Sequence, residues 1–182
     1  MKDSGKNNQK RAITGAAKGL HDLFTEQLKD IYGAEKALYQ TMPTMLENAT
    51  SEDLIAAIEK HRTQTENQIK RLEQVFESVG MKVESKKCEA MEGLIREAEN
   101  IIKETESGMV RDAAIIASAQ KIEHYEIATY GTLSSFAHTL DEMDAYDLLE
   151  ETLDEEKETD LLLTEIAEAR INIEAIEGGE DE

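Results

Sequence analysis

The chain has 182 residues, with 40 Asp and Glu against 20 Lys and Arg, a formal net charge of −20, one Pro, one Cys and no Trp. That length suits one domain with its own core, and the scarcity of Pro and Gly argues against a turn-rich sandwich or barrel. The acidic surplus excludes a general nucleic-acid binder, the single Cys88 excludes an intrachain disulfide or a Cys-based zinc site, and no apolar run is long enough to span a membrane.

Residues 1–19 are polar, rich in Gly, Asn and Lys, and lack an apolar period, so they read as a flexible arm. The basic start (Lys2, Lys6, Lys10, Arg11) has no apolar stretch behind it and is not a secretory signal. A helical domain is expected over 20–174. Its first helix, about 20–46, carries an inward stripe of Phe24, Leu28, Ile31, Glu35, Leu38, Met42 and Met45, and Pro43 should kink or loosen its last turn. A second helix opens at Ser51, with Glu52 and Asp53 in its first turn. Its stripe reads Leu54, Ile58, His61, Thr65, Ile69, Leu72, Phe76 and Val79, and Gly80 stops it.

Residues 82–87 form a loop, and a short amphipathic segment follows over 90–103. The third long helix covers about 110–138, with Ile116, Ala119 or Gln120, Glu123, Ile127, Tyr130, Leu133 and Ala137 facing inward. Its run from Ala113 to Ala119 is nearly all apolar, so a second partner must cover it, either the short segment or another subunit. The fourth spans about 143–173, with stripe Leu149, Leu153, Glu156, Asp160, Leu163 and Ala167, and residues 175–182 form an acidic tail. Four long helices with one long connection between the second and third predict an all-α, ferritin-like antiparallel four-helix bundle whose crossover carries a short fifth helix. A weak internal repeat agrees with two related hairpins, placing Leu54, Ile58 and Leu72 on Ala145, Leu149 and Leu163, and Glu35 on Glu123.

The stripes break at one level. Glu35, His61, Thr65, Glu123, Glu126, Glu156 and Asp160 lie near the middles of their helices, and antiparallel packing would bring them together, since a helix rises only about 1.5 Å per residue. Several carboxylates in a core are costly unless something positive neutralises them. Divalent metal ions would do so, and oxygen ligands with one imidazole suit iron or manganese, with zinc an alternative. The ferritin-like arrangement places one Glu on each of two helices and Glu-x-x-His on each of the other two. The second helix here offers His61 and Thr65-x-x-Gln68, and the fourth Glu156-x-x-Thr159 with Asp160. His124 points away from Glu123, Tyr130 suits packing with a bonded hydroxyl, and Cys88 reads as a small buried residue.

The segments AEKAL, RLEQVFE, CEAMEGLIREA, VRDAAIIASAQKIEHYEIATYGTL and ETLDEEKETD resemble the YciE/YciF family of bacterial stress-associated proteins over about residues 20–170. The resemblance implies a ferritin-like, cytoplasmic homodimer with a rubrerythrin-like di-metal centre, and an activity that is not established. It places Glu35, Glu123, Glu126 and Glu156 at the carboxylate positions of such a centre. His61 and Asp160 join them from their facing alone. Two functions follow as expectations. One is a metal-binding stress protein holding one or two ions, iron first, that consumes peroxide or oxygen. The other is a non-catalytic helical dimer with a vestigial or structural metal site, whose acidic surface serves interaction.

Overall fold

The computed structural model describes residues 16–177, and most of the expected N-terminal arm, like the last five residues of the acidic tail, lies outside them. Six α-helices follow in order: α1 (Leu20–Asn48), α2 (Glu52–Ser78), α3 (Glu89–Glu104), α4 (Met109–Thr139), α5 (Met143–Ile166) and α6 (Asn172–Glu177). A π-helical turn, Ala167–Ile171, joins α5 to α6, so helix continues two residues beyond the expected start of the tail. Helix α1 passes through Pro43 and runs on to Asn48, although Pro43 cannot donate a backbone hydrogen bond.

Contacts between side chains fix the topology. Tyr32 bonds Glu73, while Tyr39 stacks under the Arg62 guanidinium, so α1 and α2 are antiparallel. Gln120 bonds Thr164, and Ser134 bonds Glu150, so α4 and α5 are antiparallel too. Tyr125 bonds Asp30 and Tyr130 bonds Glu35, each pair 95 residues apart, so α1 and α4 run parallel. Two antiparallel hairpins are thus joined by a crossover between α2 and α4, the connectivity expected of a ferritin-like bundle. The crossover carries α3, which lies along α4 through Cys88–Tyr125 and Arg111–Thr105 and covers the apolar first half of that helix.

The turns explain themselves in local chemistry. Helix α2 ends in Gly80 at φ 69°, with Gly80 N–H donating to Glu77 O and Met81 N–H to Phe76 O. This is the left-handed helix stop that glycine favours. Helix α4 ends in the same bonding pattern, Asp141 N–H to His138 O and Glu142 N–H to Ala137 O, but with Asp141 at φ 61° in glycine's place. The turn between α1 and α2 is pinned from a distance by Asp112 of α4, which is fully buried and accepts from Thr50 N–H, the Thr50 hydroxyl and Ser51 N–H at 2.7–2.9 Å. Where the crossover passes over α1, Lys86 N–H donates to Lys29 O, and a Cβ on Gly33 would stand 1.9 Å from Lys86 O. Only glycine admits that approach.

The core follows a strict alternation of four and three. On α1 it is Phe24, Leu28, Ile31, Glu35, Leu38, Met42 and Met45, as expected. On α2 it is Leu54, Ile58, His61, Thr65, Gln68, Leu72 and Val75, so Gln68, not Ile69, faces in. On α4 Glu126 faces in, as expected of a cluster acid, and Ile127 packs only partly buried beside it. On α5 the sequence Leu149, Thr152, Glu156, Thr159, Leu163 puts Thr159 inward and leaves Asp160 at the edge of the stripe.

Candidate metal centre

The polar interruptions of the four stripes meet at the middle of the bundle. His61 from α2, Glu123 and Glu126 from α4, and Glu156 from α5 each offer a nitrogen or oxygen atom, and these atoms all lie within 4.8 Å of one another. His61 Nε2 stands 3.2 Å from Glu123 Oε1, and His61 Nδ1 is 4.0 Å from Glu156 Oε2. All four residues are buried. Glu35 of α1, also fully buried, joins them from the fourth wall and accepts a hydrogen bond from the Tyr130 hydroxyl. Tyr130 follows Glu126 by one helical turn, so one face of α4 supplies both an acid of the cluster and the donor that holds Glu35.

Few of these polar atoms have partners. Both nitrogens of His61, both oxygens of Glu126 and Glu156, and one oxygen each of Glu35 and Glu123 are buried without a hydrogen bond. Buried carboxylates without donors are strongly disfavoured as anions. Burial, reinforced by the neighbouring Glu156 charge, accordingly holds Glu35 and Glu123 well above the usual carboxylate range. Burial and the Glu35 charge do the same to Glu126. Glu156 is pushed up to about 7, chiefly by burial, while the adjacent Glu123 carboxyl opposes the rise. Burial and the Lys60 charge lower His61 to about 4, so its imidazole is neutral near pH 7 and presents a lone pair. Four acids and one neutral imidazole with unpartnered ligand atoms form a donor set that fits a divalent cation.

Beside the cluster, toward the α2 C-terminus, the environment turns polar and cationic. Arg71 is buried and donates to Thr152 at 2.8 Å and to Glu155 at 3.0 Å, and Gln68 donates to Glu155 at 2.9 Å. Gln68 and Thr159 stand on the inward stripe where a Glu-x-x-His pattern would place imidazoles. The only imidazole in the group comes from His61, one turn before Thr65.

The structure therefore brings together Glu35, His61, Glu123, Glu126 and Glu156, and it sets Asp160 apart. Asp160 is half-buried at the rim and bonds Gln120 and the exposed His124, because Thr159 occupies the inward position of that turn. Thr159 spends its hydroxyl on the Glu155 carbonyl. Arg71 was not visible as an interior residue in the sequence, although it follows Gln68 by three positions and so shares its face. Cys88 is buried at the start of α3, bonded to the Tyr125 hydroxyl at 3.0 Å, and burial pushes its thiol up.

An all-α bundle of two antiparallel hairpins, joined by a helical crossover and holding a carboxylate and imidazole cluster at mid-height, defines the class as a ferritin-like helical protein. Within that class, the chain belongs to the family described as Domain of unknown function (DUF892), which matches residues 19–176. It is 46% identical to Protein YciF of Escherichia coli (strain K12) over 159 residues, covering 87% of this chain and 96% of that protein. The crystal structure of the E. coli stress protein YciF superposes with a TM-score of 0.82 over 86% of this chain and 99% of that one. YcfI from Rhodopseudomonas palustris, at 40% identity, superposes with a TM-score of 0.81 over 84% of this chain and 98% of its own. No described helix is long and apolar enough to cross a membrane.

Proposed function

We propose that this chain is a metal-binding stress protein whose mid-bundle site, built from His61, Glu123, Glu126 and Glu156 with Glu35 beside them, holds one or two transition-metal ions. Iron suits the donor set first, with manganese or zinc as alternatives. The observation that carries the reading is the set of unpartnered, buried ligand atoms on four different helices. The stress role is supported by the 46% identity to YciF, which is called a stress protein in E. coli. By the family likeness the protein works in the cytoplasm as a homodimer.

In this reading iron, when bound, supplies the redox capacity to consume peroxide or oxygen. The chain's own residues prepare the site. His61 is neutral near pH 7 and needs to lose no proton to ligate. Burial holds both Glu123 and Glu156 above the usual carboxylate range, so ion binding would displace protons from these acids. Tyr130 fixes one oxygen of Glu35 and leaves the other free.

Element analysis of protein purified without chelator tests the reading, together with thermal unfolding after adding Fe(II) under anaerobic conditions, Mn(II) or Zn(II). Stoichiometric metal and a raised melting temperature are expected. Absence of metal with an unchanged melting temperature overturns it. A second reading is favoured by Gln68 and Thr159, which leave the site with a single imidazole. It makes the protein a non-catalytic helical dimer whose ion is structural. Bound metal without peroxide or oxygen turnover selects this second reading.

A further inference from the structure

The donors of the proposed metal site are shared out unevenly. His61, Glu123, Glu126 and Glu156 bring their ligand atoms within 4.8 Å of one another. Toward the α2 C-terminus, the buried polar residues that follow His61 on α2 are Thr65, Gln68 and Arg71, and none of them is an anion or an imidazole. Thr65 donates its hydroxyl to the His61 carbonyl at 3.1 Å. Gln68 is a neutral amide whose nitrogen donates to Glu155 Oε2 at 2.9 Å. Arg71 is the only buried Arg or Lys among the described residues.

Arg71 decides what Glu155 can do. Its guanidinium takes both oxygens of that carboxylate, Nη1 to Oε2 at 3.0 Å and Nη2 to Oε1 at 3.1 Å, and Nη1 also donates to Thr152 at 2.8 Å. A two-point pair of this kind fixes both partners. Glu155 therefore has no oxygen to spare. The charges of the pair also oppose each other at the centre. Arg71 favours the anions of Glu35 and Glu156, and Glu155 disfavours both. The pair brings neither a net charge to attract a cation nor a free ligand to hold one. What remains unpartnered on that side is one oxygen of Glu35, whose other oxygen is bonded to Tyr130, and the carbonyl oxygen of Gln68. A second ion would have to share Glu126 and Glu156 with the first and would add only these two donors.

We propose that Arg71 restricts the centre to a single ion, held by His61, Glu123, Glu126 and Glu156, by taking Glu155 out of the donor set. The inference rests on the metal-binding reading above and fixes its stoichiometry.

The test titrates metal-free, full-length protein with Mn(II), counting bound ions by equilibrium dialysis and recording electron paramagnetic resonance. Wild type should bind one ion in the centre, with the hyperfine pattern of an isolated Mn(II). Arg71→Met releases Glu155 and should bind two, with a spectrum altered by coupling between neighbouring ions. That coupling separates a second ion in the centre from ions loosely held by surface acids. Combining Arg71→Met with Glu155→Gln removes the released carboxylate and should return the count to one. Arg71→Gln, which keeps a polar group in the buried site, should behave as Arg71→Met does and reads out the same point if the Met variant misfolds. Helical circular dichroism and a Kd for the first ion within several-fold of wild type identify a folded variant. Coupled ions in wild type, a single ion in the folded Arg71 variants, or coupled ions that persist in the double variant overturn the inference. No bound ion in wild type overturns the metal-binding reading itself.

Discussion

Replacing Glu156 with Gln should stabilise the metal-free protein and abolish its response to metal, and the two effects have separate physical sources. In the fold, burial raises Glu156 from an ordinary 4.5 to about 7. A raised acid binds its proton more tightly folded than unfolded, so the folded state is undisturbed below about pH 4.5 and loses stability as pH rises toward 7. At about 1.4 kcal/mol per pH unit, that displacement corresponds to about 3 kcal/mol at pH 8. Gln keeps the shape and cannot ionise, so Glu156→Gln should recover about 2–3 kcal/mol there, or about 5–10 °C in melting temperature. At pH 4.5 the two proteins should melt together. With an ion at a hundred times its Kd, the wild type gains about 2.7 kcal/mol, and the variant gains little. The advantage of the variant in the metal-free form is therefore largely cancelled in the metal-loaded form. Calorimetry or circular dichroism melts at pH 4.5 and 8, with and without Mn(II), measure all four states. A Glu156→Gln protein that is less stable than wild type at pH 8 without metal would refute the electrostatic reasoning. Equal metal responses would refute the ligand role.

Other parts of the fold make equally specific predictions. Asp112→Ala leaves the Thr50 amide and the buried Ser51 amide without their acceptor and should destabilise the protein by about 3 kcal/mol. Amide exchange at residues 50 and 51 should then rise ahead of the global transition, and protection equal to wild type would count against the role of Asp112. Gly33→Ala drives a methyl to within 1.9 Å of the Lys86 carbonyl. Since a backbone atom cannot step aside cheaply, it should lose about 3 kcal/mol and open residues 82–87 to proteolysis. An unchanged cleavage pattern would sink that account. Asp141→Gly removes a side chain held at φ 61° and should raise stability by about 0.5–1 kcal/mol in urea unfolding, whereas any loss would mean that the carboxylate has a favourable role.

The fold was legible because its period is regular and its breakers are few. Helix α1 could be read completely, since every inward residue but Glu35 is apolar and none has a stronger apolar neighbour. Two of the other helices were misread at one inward position of the site. Ile69 drew the stripe away from Gln68, and the charge of Asp160 drew attention from Thr159, whereas Glu126 was read as inward beside Ile127. In every case the alternation of four and three, carried in phase from the flanking turns, selects the residue that the structure buries. Composition cannot do this at a functional site, because such a site puts polar residues where the core wants apolar ones. Asp112 shows a different limit. Its phase on α4 marks it as inward, but its partners lie about 60 residues earlier, and only the packing of α4 against the first turn reveals them.

The exchange of Asp160 for Asp112 leaves five fully or almost fully buried acids among the described residues, and only four of them, Glu35, Glu123, Glu126 and Glu156, lack adequate donors. That distinction separates structural burial from a site that wants a cation. Asp112 has three donors and holds a turn, while Glu126 has none. The internal repeat sharpens the contrast. Setting Glu35 on Glu123 places the buried stripe of α1 on that of α4, and setting Thr65 on Glu156 places α2 on α5. A symmetric centre would then carry an acid at Thr65 and an imidazole at Gln68 and Thr159. The second hairpin instead supplies three of the four unsatisfied acids, and the first supplies Glu35 and His61. The charge of any bound ion is therefore needed most between α4 and α5. Glu35, already held by Tyr130, is the acid with the least to gain. On the proposed reading, occupancy begins at the His61, Glu123, Glu126 and Glu156 group, and a second ion depends on the free oxygen of Glu35.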